Sequence, residues 1–213
     1  MCSDYYSVKG TGKAELVVKK SRFIAQVDYV DTATAAENFI HSIKEVHKEA
    51  SHNVFAYIVG RQGIIQKSSD DGEPNGTAGR PILEVIKNKN LQNVVVVVTR
   101  YFGGKLLGIG GLARSYSQAA VEGIEAAKIV RKVLHRRLRV TVEYSLLGIL
   151  QRRIEETDII LKKIDYAELV TLEVLVKECD KRKYRELFIN LTSAQAVVSE
   201  QEKIYLDFMN AKI

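Results

Sequence analysis

The sequence predicts an α+β fold in two parts, and three observations predict it. Across residues 1–130, short β-branched runs and amphipathic stretches follow one another as β-β-α-β-β-α-β-α. Across residues 131–213 the pattern changes to β-α-β-β-α-β. No Pro/Gly linker separates the two, so the boundary near residue 130 rests on the change of pattern alone. The third observation is length: 213 residues make one large domain or two small ones. A chain of this size buries about 70% of its unfolded surface without a disulfide or metal staple.

In the first part, Lys13–Val18 and Ser21–Val27 read as strands on either side of Lys19-Lys20. Thr34 and Glu37 have capping-box spacing, in which each side chain serves a free backbone N–H at a helix start. Phe39, Ile40, Ile43, Val46 and Ala50 then recur on one helical face. Val54–Val59 is a strand, and Gly60–Gly63 turns the chain into another at Ile64–Lys67. Pro81 suits the first turn of a helix, where its missing N–H is no loss, and Ile82, Leu83 and Ile86 give that helix an apolar face. Val94–Thr99 is an unbroken β-branched run, which fits a strand buried on both faces. A helix beginning near Leu112 presents Tyr116, Ala119, Ala120, Ile124 and Ala127 to a core.

In the second part, Val133–Tyr144 is a strand with Leu138, Val140, Val142 and Tyr144 on one face and Arg137, Arg139, Thr141 and Glu143 on the other. Leu146–Glu156 is a helix, and Ile159–Tyr166 and Leu169–Val176 are strands. Asp180 stands as the cap of a helix carrying Tyr184, Leu187, Phe188 and Leu191, and Val197–Phe208 closes the chain as a strand. This is the ferredoxin-like split βαβ order.

Apolar residues make up 46% and charged residues 27%, an ordinary globular balance. A net charge of +6 and a pI near 9.2 suit an anionic partner without requiring one. Cys2 and Cys179 lie far apart and lack metal-ligand spacing, so neither a zinc site nor a disulfide framework is indicated. The pentavaline Val94–Val98 falls far short of the ~20 apolar residues of a membrane span. The polar N-terminus lacks a signal peptide's apolar core. The expectation is a cytoplasmic protein with no membrane partner.

Two segments carry an excess of glycine. Ser68–Pro81 reads SSDDGEPNGTAGRP and Thr99–Tyr116 reads TRYFGGKLLGIGGLARSY. Together they hold Gly72, Gly76, Gly79, Gly103, Gly104, Gly108, Gly110 and Gly111. Glycine gives up backbone entropy and is used where φ must be positive or another group must come close. Backbone N–H groups at a helix start attract phosphate, with the helix dipole behind them, and Arg100, Lys105 and Arg114 add charge. The spacing matches neither a Walker A loop nor a complete dinucleotide fingerprint. The competing expectation is a tight strand-to-helix turn.

Asp70, Asp71 and Glu73 admit two readings, as metal or acid–base groups or as a structural loop. In the second, which is preferred, they pair with Arg80, Arg100 or Arg114 and hold the two segments together. No catalytic residue, metal ligand set or cofactor is assigned. The densest basic run is Arg131, Lys132, His135, Arg136, Arg137 and Arg139. Arg137 and Arg139 fall on the sheet face expected to be free of helices, although the aromatic signature of RNA-recognition modules is absent.

The strings SSDDGEPNGTAGRPIL and VVVVTRYFGGKLLGIGGLARSY, with KSRFIA at Lys20–Ala25, resemble the signature of the YigZ/IMPACT family. The resemblance covers residues 1–125, and the remainder is similar, through weaker motifs, to the family's bacterial C-terminal domain. It implies a first domain, residues 1–130, folded like the second domain of a small-subunit ribosomal protein. It implies a ferredoxin-like second domain, residues 131–213, resembling one of elongation factor G. Eukaryotic members regulate translation by competing for an activator of a starvation-responsive kinase, but they carry a different second domain, so that partner does not transfer. The family supplies no catalytic residues.

The combined expectation is an RNA- or ribosome-binding protein that modulates translation, with stress as an expected setting. Phosphate contact is assigned to Arg100, Gly103, Gly104, Lys105, Gly110, Gly111 and Arg114, widened by Arg137 and Arg139. Asp70, Asp71, Glu73 and Arg80 form the structural loop. Translation factors or regulatory proteins are further partners. The rival expectations are a metal-dependent phosphate- or nucleotide-processing enzyme and a protein-interaction adaptor.

Overall fold

The computed structural model describes residues 4–60 and 63–209. The chain divides into two compact units, one made chiefly of Tyr5–Arg131 and one chiefly of Lys132–Phe208. Both are α+β with antiparallel strand pairs.

The first unit contains strands β1 (Tyr5–Val8), β2 (Gly12–Val18), β3 (Ser21–Tyr29), β4 (His52–Val59), β5 (Ile65–Ser69) and β6 (Val94–Tyr101). Its helices are α1 (Ala33–Val46), α2 (Gly79–Asn88) and α3 (Ile109–Ala127). The main sheet runs β2-β3-β6-β4-β5 with antiparallel neighbours throughout. β6 lies at its centre because its side chains satisfy both faces. Val94, Val96 and Val98 join a core with Ile82 and Ile86 of α2 and Tyr116, Ala120 and Ile124 of α3. Val95 and Val97 join a second core with Ala36, Ile40 and Ile43 of α1. The sheet is thus sandwiched between α1 and the α2/α3 pair.

Local chemistry sets the connections. Lys19 and Lys20 both have positive φ (46° and 71°), as a two-residue hairpin turn between β2 and β3 requires. Helix α1 is capped by Thr32, whose Oγ1 accepts the N–H of Ala35 at 3.2 Å, and not by Thr34. Glu37, expected in a capping box, instead accepts from Tyr57 Oη at 3.0 Å and Lys67 Nζ at 2.8 Å. Val46, expected on the apolar face, is exposed. Pro81 falls in the first turn of α2, which begins at Gly79. Helix α3 begins at Ile109, before the expected Leu112, and β1 was not expected from sequence at all.

The second unit contains β7 (Ile129–Val142), α4 (Tyr144–Glu155), β8 (Ile160–Tyr166), β9 (Val170–Lys177), α5 (Lys181–Leu191) and β10 (Val197–Met209). Its strands are ordered β10-β7-β9-β8. Leu138, Val140, Val142, Leu172 and Val174 face Leu150 of α4 and Phe188 of α5 in one core. Asp180 precedes α5 but makes no side-chain capping bond; a 3-10 turn over Glu178–Asp180 leads into the helix instead. Arg136 grips Glu178 with Nε and Nη2 at 2.9 and 3.0 Å and gives Nη1 to the Gln201 carbonyl. That fork holds the Glu178 carboxyl down at about 2. Tyr184 donates to Asp158, and burial together with that carboxylate pushes its hydroxyl up to about 12. Cys179 is disulfide-bonded, against the expectation from spacing; Cys2 lies outside the described residues.

Candidate functional site

Asp70 closes the first glycine-rich segment on itself. Its Oδ2 accepts the N–H of Gly76 at 2.8 Å, and its Oδ1 accepts those of Ala78 and Gly79 at 3.0 and 2.8 Å. It therefore serves the free N–H groups at the start of α2 from across the loop. Burial alone would raise its pKa, but the three N–H bonds outweigh burial and hold the carboxyl below the usual range. Asp71 turns the chain with φ 47° and binds outward, accepting Lys44 Nζ and the Asn53 N–H, each at 2.6 Å. Its carbonyl accepts from His52 Nδ1 at 2.8 Å.

Glu73 then points inward and is only 8% exposed. Its Oε1 accepts Arg100 Nη1 at 2.6 Å and Tyr116 Oη at 2.8 Å, so one carboxylate joins the loop to β6 and α3. Tyr116 packs edge-on against Phe23 with ring centroids 5.1 Å apart. Burial and the neighbouring Glu73 charge hold its hydroxyl protonated, far above the ordinary range. Arg100 lies over the rings of Phe23 and Phe102, and its Nη2 reaches the buried Ser21 hydroxyl at 3.4 Å. Its Nε is shielded from solvent and has no hydrogen-bond partner.

The second segment leaves β6 and passes over the β2–β3 turn. The Gly103 N–H donates to Ser21 Oγ at 3.1 Å, and a Cβ at Gly103 would lie 2.0 Å from the Lys20 carbonyl carbon. Only glycine permits that approach. Gly108, with φ 72°, is the N-cap residue of α3 and offers no side-chain cap. The N–H groups of Ile109, Gly110 and Gly111 therefore lie at a helix start, where no intrahelical acceptor exists. Two residues at that start, Gly108 and Ile109, line a cleft of about 460 Å³. His52, Glu73 and Arg100 line it together with Phe102, Leu106, Ile109 and other apolar groups.

The structure distributes the residues singled out in the sequence among three settings. Gly103, Gly104, Lys105, Gly110 and Gly111 lie on the second loop and the start of α3, and Lys105 and Gly110 are exposed. Arg114 is exposed on α3 and Arg80 on α2. Arg80 and Arg114 are not what the acidic loop pairs with; those partners are Lys44, Arg100 and backbone N–H groups. Arg100 is 5% exposed and already committed to Glu73, so it presents no surface to a phosphate backbone. Its assignment moves from an exposed phosphate contact to the floor of the cleft. Arg137 and Arg139 lie on β7, opposite in facing to Leu138 and Val140, and both carry acidic partners. Arg137 meets Glu202 at 3.1 Å and Glu173 at 3.8 Å, and Arg139 meets Glu173 at 3.4 Å. That face is charge-matched, not a free basic surface.

Sequence reasoning missed His52 and Tyr116 as members of the site. Strand alternation carried the signal. Val54 and Ala56 of β4 face the α2/α3 core, and two residues earlier the same face carries His52. His52 and Arg100 are paired in register across β4 and β6. Among the described residues, no group of three or more His, Cys, Asp or Glu is placed to hold a metal ion.

The Impact N-terminal domain profile matches residues 19–124, and a domain of unknown function (DUF1949) matches residues 140–195. The IMPACT family member YvyE of Bacillus subtilis is 41% identical over 207 residues, 97% of this chain and 95% of its own. This chain belongs to the IMPACT family. YigZ of Escherichia coli, another member, is 33% identical over 165 residues, 76% of this chain and 70% of its own. Protein IMPACT of Rattus norvegicus is 35% identical over 100 residues, 45% of this chain and 31% of its own. A crystal structure of a hypothetical protein superposes with a TM-score of 0.60 at 26% identity, covering 95% of this chain and 99% of the other. The two glycine-rich segments therefore fall inside the part shared across the family.

Proposed function

We propose that this protein binds RNA, free or within the ribosome, and modulates translation from the cytoplasm. The observation that carries the proposal is the uncapped start of α3 at the end of a lysine-bearing loop. Gly108 leaves the first N–H groups of the helix unserved by any side chain. Exposed Lys105 lies on the same loop, and Gly103 packs directly on the Lys19-Lys20 turn. N–H groups, a helix dipole and flanking cations together favour phosphate.

The fold reading supports the same conclusion. We read Tyr5–Arg131 as the fold of the second domain of a small-subunit ribosomal protein. We read Lys132–Phe208 as ferredoxin-like, because its strand order β10-β7-β9-β8 is the 4-1-3-2 order that the split βαβ connections generate. No helix among the described residues is long and apolar enough to cross a membrane.

The test is anisotropy of labelled single-stranded RNA with the intact chain. If Lys19, Lys20, Lys105 and Arg114 each neutralise one phosphate, log K falls with log salt at a slope of about −3, or about 50-fold between 50 and 200 mM. Lys105→Ala lowers the slope by about 0.7 without unfolding the chain. If neither RNA nor ribosomal particles bind at low salt, the proposal fails.

A further inference from the structure

We infer that the cleft between the Asp70–Gly79 loop and the start of α3 takes a single nucleotide, with its phosphate at the α3 amides and its base inside. This rests on the RNA reading for its biological source. The shared chemistry is a nucleoside 5′-monophosphate, either one unstacked residue of an RNA strand or a free nucleotide.

Size comes first. The cleft holds about 460 Å³, within the range of small-molecule sites. Its lining includes the aromatic Phe102 and the aliphatic Leu106 and Ile109, exposed by 49%, 85% and 71%. Such surfaces suit the face of a base, which stacks on aromatic and apolar side chains.

Polar groups sit at its two ends. At one end Gly108 and Ile109 bring in the uncapped start of α3, whose free N–H groups favour an anion. At the floor are acceptors. His52 uses Nδ1 to donate to the Asp71 carbonyl, so in the neutral ring Nε2 keeps its lone pair. Nε2 stands 3.9 Å from Glu73 Oε1, too far for the two to satisfy each other. Glu73 spends Oε1 on Arg100 and Tyr116, and among the described residues Oε2 takes no bond. An amino or ring N–H of a base meets both needs.

A second, independent observation also points to a ligand. Arg100 lines the cleft, is 95% removed from solvent, and its Nε has no partner. Buried donors are almost always satisfied. A carbonyl or ring nitrogen of a base supplies the missing acceptor beside the donor edge that Glu73 and His52 accept. Bases carrying an amino group fit this donor–acceptor floor better than uracil.

The test titrates the intact chain calorimetrically with AMP, GMP, CMP, UMP and inorganic phosphate. At least one amino-bearing nucleotide is expected to bind about tenfold more tightly than UMP, and inorganic phosphate more weakly than either. Gly110→Asp places a carboxylate among the α3 amides, where nothing lies within 4 Å of the new Cβ. It stabilises the helix start, so the fold is retained, and it is expected to weaken nucleotide binding more than tenfold. Phe102→Ala is expected to weaken it about tenfold through lost stacking.

The inference is overturned if no nucleotide binds, if phosphate binds as tightly as the nucleotides, or if Gly110→Asp binds like the wild type. The RNA arm separates the two readings. Nucleotides that bind while RNA does not would sink the RNA reading and leave the pocket. RNA that binds undisturbed by Gly110→Asp and Phe102→Ala would do the reverse.

Discussion

Glu73→Gln keeps the shape of the side chain and removes its charge, leaving the Arg100 guanidinium uncompensated under α3. Glu73 and Arg100 side chains are 3% and 6% exposed, so solvation compensates little. Removing one partner of a buried pair costs about 3–5 kcal/mol, and the low end applies because an amide oxygen still accepts from Nη1. Tyr116 exchanges a charged acceptor for a neutral one, which adds about 1 kcal/mol. The sum, about 4 kcal/mol, corresponds to a fall of about 12 °C at roughly 3 °C per kcal/mol for a chain of this size. Thermal melting by circular dichroism or calorimetry reads it directly. Glu73→Leu with Arg100→Met and Tyr116→Phe leaves no charge or hydroxyl buried and is expected to recover most of the loss. A Glu73→Gln protein melting within about 2 °C of the wild type would refute the reasoning, since the carboxylate would then not be what joins loop, strand and helix.

Two further predictions rest on separate features. The Glu178 carboxyl lies at about 2 in the folded chain against an ordinary 4.5, so its contribution is complete above 4.5 and is lost as pH falls toward 2. Denaturation midpoints of wild type and Glu178→Gln are therefore expected to differ by a constant amount near neutrality and to converge by pH 2; a gap that widens on acidification would contradict this. The second sets two glycines against each other. Gly103→Ala drives a Cβ to 2.0 Å from the Lys20 backbone, and is expected to cost about 3 kcal/mol or more in a denaturant titration. Gly110→Ala meets nothing and is expected to gain up to about 1 kcal/mol; equal losses at both positions would defeat the distinction.

The architecture was legible where periodicity was strong. Val94–Val98 read as a strand buried on both faces, and alternate valines do enter different cores. The apolar stripe of α3 was read correctly from Leu112 onward. Its start was not, because Ile109, Gly110 and Gly111 make no apolar face; the helix is set there by the positive φ of Gly108. Thr32 outcompeted Thr34 as a cap because both present hydroxyls and only backbone geometry chooses between them. At the site, composition misled. Arg100 beside glycines looked like a phosphate ligand, yet the alternation that buries Val94, Val96 and Val98 already puts Arg100 on the same inward face. Glu73 reads like its neighbours Asp70 and Asp71; only the folded loop shows that two of the three bind locally and the third spans elements.

Whether the glycines make a site or a scaffold has a divided answer, and the division carries the functional argument. Gly103 and Gly108 are explained by the fold, one by a backbone it must touch and the other by a φ it must adopt. Gly110 has neither reason: its φ is not left-handed, and open space surrounds the position a Cβ would take. Glycine there weakens the first turn of α3 by about 1 kcal/mol relative to alanine with no packing return. Bare backbone at an uncapped helix start, beside a cleft whose floor holds an unpartnered guanidinium nitrogen, is what an incoming anion requires. Gly111 again has a packing reason, since its Cβ would lie 3.3 Å from Leu107 Cβ, so Gly110 is the position that the proposed anion site would explain and packing does not.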